Sequence, residues 1–163
     1  MSGGGLGLEL DLPHYGCAVV NTTVINNTAL SEYGRDAQGG GIWMFFTQAD
    51  SAGTVQLLFL DNTILGNSAV TKGPWGAQGG GLYVFTSGGE VFVEPSTLTV
   101  SGCVFAHNVV QASEVSVYGG GMMCWLEAVV MSLDNSSFTG TMLRCVFCCR
   151  SDLSAYMSMH AVR

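Results

Sequence analysis

One lysine, Lys72, stands in 163 residues. Five basic side chains against twelve acidic ones leave a net charge of −7. No basic patch exists to neutralise phosphates, which argues against nucleic acid as a partner. Charge of either sign is scarce at 10 % of residues, whereas 48 % are hydrophobic. Disorder needs the opposite balance, so one buried-core domain is expected. No apolar run reaches the roughly 18 residues of a spanning helix. No charged leader precedes an apolar core at Met1, so no signal peptide is expected in this chain. The first 143 residues also lack a helical apolar stripe, which disfavours an alternating strand–helix fold.

Six cysteines are present, at Cys17, Cys103, Cys124, Cys145, Cys148 and Cys149. Cys145 and Cys148 have C-x-x-C spacing, but no second pair follows at zinc spacing, so neither metal nor cofactor is expected. Three Asn-x-Ser/Thr triplets begin at Asn21, Asn26 and Asn135. They matter only in a secreted eukaryotic chain, and chance also produces them in a sequence rich in Asn, Ser and Thr.

What the chain has in excess is glycine, 23 residues, and much of it is periodic. Triplets stand at Gly3–Gly5, Gly39–Gly41, Gly79–Gly81 and Gly119–Gly121, at intervals of about 40 residues. A companion element reads Val24-Ile25-Asn26-Asn27, Ile64-Leu65-Gly66-Asn67 and Phe105-Ala106-His107-Asn108, with a worn copy at Phe138-Thr139-Gly140-Thr141. After each triplet apolar residues alternate: Leu6, Leu8, Leu10; Ile42, Met44, Phe46; Leu82, Val84; Met122, Cys124, Leu126. Period two is strand geometry with those positions on one face. A second strand-like run has the expected inward ladder Val20, Leu60, Val100 and Leu133. A third short strand holds Val24, Ile64, Phe105 and Phe138. Segments such as Thr47–Thr54 and Lys72–Gln78 read as loops. Three strands per repeat with like residues at like positions predict an all-β fold, a parallel β-helix of about four coils with long loops. Leucine-rich horseshoes need a recurrent L-x-x-L-x-L pattern, which is missing, and propeller blades, though of comparable period, need four antiparallel strands per unit.

The pairing of GGGIW, GGGLY and GGGMM with VINN, ILGN and FAHN resembles the GG-[AG]-[ILMV]/F-x-x-N repeat of chlamydial polymorphic outer-membrane proteins. The resemblance covers about residues 3–143. It implies a right-handed, pectin-lyase-like solenoid and a role in adhesion or surface display, not generally an enzyme. The parent protein is then expected outside the cell or on its surface. The chain divides into repeats over 1–143 and a tail over 144–163 without recognisable register, expected to be dispensable. Both ends look cut, which points to a fragment.

Asn27, Asn67 and Asn108 are expected to stack as a structural ladder of amides at a turn. Asn21, Asp61, Ser101 and Asp134 align as a second polar row. Lyases and glycoside hydrolases on such folds place carboxylates on successive coils, so a polysaccharide lyase or hydrolase is the alternative function. No second carboxylate aligns beside Asp61 or Asp134, and His14, His107 and His160 occupy unrelated repeat positions. No catalytic residue is assigned. The candidate binding surface is aromatic: Trp43, Phe45, Tyr83, Phe85 and Trp125 alternate with the aliphatic ladder and are expected on the outer face. Rings stacked there would offer a platform to a glycan or protein partner. The expected function is a non-catalytic structural or adhesive surface module.

Overall fold

In the computed structural model, which describes residues 4–11, 16–32, 35–47, 56–87, 96–112, 117–127, 129–141, 143–148 and 157–160, like-positioned strands of successive repeats pair in parallel. Sheet I follows the glycine triplets and contains Leu6–Asp11, Ile42–Thr47, Leu82–Ser87, Met122–Glu127 and Leu143–Cys148. Sheet II contains Gly16–Val20, Gln56–Leu60, Ser96–Ser101, Val129–Asp134 and Met157–His160. Sheet III is formed by Thr23–Ile25, Thr63–Leu65, Val104–Ala106 and Ser137–Thr139. Sheets IV (Thr28–Ser31, Ser68–Thr71, Val109–Ala112) and V (Ala37–Gln38, Ala77–Gln78, Val117–Tyr118) complete the first three repeats. Among the described residues there is no helix, hence none long and apolar enough to cross a membrane.

Alternation builds the main core. In sheet I, Ile42, Leu82 and Met122 are in register, as are Met44, Val84 and Cys124, and all six are fully buried. They meet Leu57, Leu98 and Met131 of sheet II and Ile64 and Phe105 of sheet III in one cluster, with Leu6, Leu8 and Phe138 packed at its margins. Phe105 and Phe138, one repeat apart, stack at 4.7 Å with their planes 1° apart. Burying one such side chain contributes about 1.5–3 kcal/mol. The exposed Lys72–Glu32 pair, 2.9 Å apart across repeats, is of a type worth about 0–1 kcal/mol. The apolar ladders therefore hold the repeats in register.

Sheets IV and V enclose a second, smaller core of Ala37, Ala69 and Ala77, flanked by Val110 and Ala112. The sequence predicts three strands per repeat, and five are present in each of the first three, while the repeat from Met122 shows three among the described residues. The missed strands are short and their inward residues are alanines, too small to register as apolar alternation. The segment read as a loop from Lys72 ends in the two-residue strand Ala77–Gln78. Of the segment Thr47–Thr54, read as a loop, Thr47 closes the strand Ile42–Thr47 and residues 48–54 lie outside the described residues.

The inward ladder of sheet II is corrected by one residue. Val19, Phe59, Val100 and Leu133 share the buried row, while Val20 is 49 % exposed and Leu60 is half-buried in register with Ser101. The cause lies in the spacing. In sheets II to IV equivalent residues stand 40 apart between the first two repeats but 41 apart between the next two, while sheet I keeps 40 at that step. Because successive side chains of a strand alternate faces, a one-residue slip exchanges inside for outside. The tail also differs from expectation where it is described: Leu143–Cys148 adds to sheet I and Met157–His160 to sheet II, both in parallel register.

The glycine triplet and the Asn motif are two halves of one contact. Gly79 opens its triplet at φ +59°, a left-handed angle open to glycine without Cβ strain. A Cβ on Gly41, which closes its triplet, would stand 2.6 Å from Gly81 O and 2.9 Å from Asn67 Cγ. The two motifs recur together because one must stay bare for the other to fit.

Candidate functional site

Sheet I carries a strip of rings on the face opposite its core side chains. Trp43 and Phe45 lie 5.9 Å apart and nearly parallel, Phe45 and Phe85 5.4 Å apart, and Phe85 and Trp125 6.3 Å apart with a 35° tilt. Trp43, Phe45 and Phe85 are half-buried and Trp125 is 37 % exposed. The parallel register sets the alignment, since Phe45, Phe85 and Trp125 occupy one position of three successive strands.

Tyr83 does not share that exposure. It is 3 % exposed, and its register mate Met123 is 2 % exposed. A left-handed glycine before the strands at Ile42, Leu82 and Met122 brings the preceding corner against the first outward residue. A Cβ on Gly79 would sit 2.8 Å from Tyr83 Cβ, and one on Gly119 2.8 Å from Met123 Cβ. Gln38 spans the same place, accepting from Trp43 Nε1 at 3.4 Å and donating to Tyr83 Oη at 3.5 Å. The open strip is therefore Phe45, Phe85 and Trp125, with Trp43 at its margin.

Burial pushes the Tyr83 phenol from its ordinary 10.0 up to about 12, with the nearby Asp36 and Cys124 adding to the effect. A raised phenol favours the folded state while it remains neutral. That stability is complete below pH 10 and is lost as pH rises toward 12. The phenolate absorbance step that Tyr83→Phe removes from an alkaline titration should lie well above pH 10, toward 12. A removed step centred at pH 10 would contradict this burial.

The corner between sheets III and IV holds the amide ladder. Asn27 Nδ2 donates to Asn67 Oδ1 at 3.1 Å, and Asn67 Nδ2 to Asn108 Oδ1 at 3.0 Å. The same oxygens accept the backbone N–H groups of Asn27 and Asn67, each at 2.9 Å. The amides also reach back to the carbonyls of Ile25, Val24 and Ile64. Asn67 and Asn108 are buried, and Thr141 takes the next place, its Oγ1 donating to Asn108 O. Each of the three amides is thus engaged within the stack.

A second ladder of this kind was not anticipated from the sequence. Thr22, Asn62, Cys103 and Ser136 stand at the corner between sheets II and III. Asn62 Oδ1 accepts from Thr22 N at 2.9 Å, Asn62 Nδ2 donates to Val19 O at 2.8 Å, and Cys103 N donates to Ser136 Oγ at 3.1 Å. Both corners use one device, a left-handed residue followed by an inward polar one. The left-handed residues are Asn21, Asp61, Gly102 and Asn135 at one corner, and Asn26, Gly66, His107 and Gly140 at the other. Asn, Asp and His tolerate this region better than other side chains. The signal available was a turn-forming residue directly after an apolar run and directly before a small polar one.

The expected polar row of Asn21, Asp61, Ser101 and Asp134 is therefore split. Asp61 lies in the left-handed row, whereas Ser101 and Asp134 pair with one another in sheet II, in line with Leu60 and Val20. The two carboxylates sit at different positions as well as on different repeats. Among the described residues no group of three or more His, Cys, Asp or Glu could hold a metal. Burial raises the thiol of Cys17, and it raises that of Cys103 against the opposing hydrogen bonds from Asn62 and Ser101. Neither is set up as a thiolate nucleophile. His107 is a turn residue. His14 and Cys149 lie outside the described residues, as do the side chains of Cys145, Cys148 and His160.

Comparison with protein families, curated proteins and solved structures returns no match to this chain.

Proposed function

We propose that the chain is a right-handed parallel β-helix module, a non-catalytic structural or adhesive element of a surface protein. Its ring strip meets a glycan or protein partner outside the cell. The observation that carries this reading is the open run of Phe45, Phe85 and Trp125 at centroid spacings of 5.4 and 6.3 Å. Rings held by a rigid parallel sheet present an apolar surface at little entropic cost, suited to the face of a sugar or to an apolar protein patch. The stacking of like residues along every sheet supports the β-helix part, and the sequence resemblance supports its hand. Asp61 and Asp134, which the lyase or hydrolase alternative requires together, stand out of register, so that alternative gains no support.

Phe85→Ala with Trp125→Ala is expected to lower affinity for the partner by tenfold or more, since each lost anchor contributes on the order of 1–2 kcal/mol. Far-ultraviolet circular dichroism should stay unchanged, because both side chains point away from the core. Glycan-array and cell-binding assays on the folded double variant provide the measurement. Unaltered binding would remove the strip from consideration and leave a spacer.

A further inference from the structure

The chain holds seven asparagines. Four of them, Asn27, Asn62, Asn67 and Asn108, commit their side-chain amides to the two corner ladders. None of these four opens an Asn-x-Ser/Thr triplet. The other three, Asn21, Asn26 and Asn135, all do. All three are exposed, and all three sit in left-handed turns at φ 49°, 56° and 47°. The division is complete: every asparagine of a triplet is at the surface, and every other asparagine is tied into the stack.

We propose that Asn21, Asn26 and Asn135 are N-glycan attachment sites. In the reaction the side-chain Nδ2 forms a bond to the anomeric carbon of the first sugar. The bond broken joins that carbon to the diphosphate of a lipid-linked oligosaccharide donor. The lipid diphosphate leaves with the bonding electron pair, and the amide gives up one proton. No oxidation or reduction is involved.

The fold accommodates the product at these positions and at no other asparagine. A glycan on an exposed turn extends into solvent, whereas one on Asn67 or Asn108 would have to break a ladder bond inside a corner. Of the triplet hydroxyls, Thr23 and Thr28 are exposed, Thr28 Oγ1 lying 2.9 Å from Ser68 Oγ, and Ser137 is half-buried. Asn21 and Asn135 occupy one turn row three repeats apart, about 14 Å at the spacing of parallel strands. Asn26 opens the other row. None of the three lies on sheet I, so sugar chains there leave the ring strip uncovered.

The test places the full chain behind a cleavable secretory leader in a eukaryotic cell. Peptide mapping follows glycan removal by a peptide N-glycosidase in heavy-oxygen water, which marks each occupied Asn as Asp. Occupancy is expected at Asn135 and at one or both of Asn21 and Asn26, with none at Asn27, Asn62, Asn67 or Asn108. Thr23→Ala, Thr28→Ala and Ser137→Ala each keep the turn asparagine and should each remove the mass of one glycan wherever the wild-type site is occupied. Glycosylated and enzymatically stripped chains should share one β-sheet spectrum and closely similar melting. Val110→Thr supplies the contrast by opening a triplet at buried Asn108, and its product glycosylated there should lose that spectrum. Bare Asn21, Asn26 and Asn135 in both the secreted and the retained pools would overturn the proposal. So would equal tolerance of a glycan on Asn108.

Discussion

Phe59→Asp is expected to abolish cooperative folding. Phe59 is 1 % exposed and stands in register between Val19 and Val100. Truncating a buried Phe to Ala alone costs about 3–5 kcal/mol. An unpaired carboxylate in the same place adds a desolvation cost that, with the lost packing, rivals a total stability of about 5–15 kcal/mol. Leu60→Asp, one residue along, is the control. Its register mates are Val20, 49 % exposed, and Ser101, so the new charge remains within reach of water. A change of about 1 kcal/mol or less is expected there. Circular dichroism and urea titration of the two variants distinguish the cases, and equal damage would reverse the assignment of faces in sheet II.

Asn67→Leu is expected to produce a large loss for a polar substitution. The change strands Asn27 N without its acceptor at 2.9 Å and takes from Asn27 Nδ2 one of its two acceptors, Ile25 O remaining. It also strands Val24 O without its donor at 2.9 Å and removes one of the two donors to Asn108 Oδ1. Each stranded group costs about 1–3 kcal/mol, so a loss of about 2–6 kcal/mol follows from the two. Asn27→Leu should be milder, because Asn27 is half-buried at the end of the row and mainly donates. Urea midpoints give the comparison, with hydrogen exchange at the Asn27 N–H as a local reading. Equal losses from the two variants would mean that the ladder adds no cohesion beyond the backbone pairing around it.

The parts of the fold legible in the sequence were those written in large side chains. Ile42, Leu82 and Met122 declared the inner face of sheet I at a constant spacing of 40, and Val24, Ile64, Phe105 and Phe138 declared the row of sheet III as the apolar residue that opens each companion element. The Asn27, Asn67 and Asn108 row was legible because Asn recurs three residues after that apolar position. Sheets IV and V were not, since Ala29, Ala69, Ala37 and Ala77 carry too little apolar surface to mark a strand of two to four residues. The ladder of Thr22, Asn62, Cys103 and Ser136 escaped notice because four different residue types fill one structural role.

By itself, the sequence determined that like residues of successive repeats would stack in parallel, since period-two alternation repeated at a fixed interval leaves identical faces to be buried against each other. Only the tertiary structure decided which of two adjacent residues in sheet II faces inward. One added residue between the sheet I and sheet II strands of the third repeat moved the register, and a strand has no side-chain signal for a slip that occurs before it begins. The structure also decided which rings remain open. Alternation assigned Tyr83 and Phe85 to one face alike, but the corner at Gly79 folds over Tyr83 and not over Phe85. Exposure on that face depends on a contact between segments, and alternation along a single strand carries no record of it.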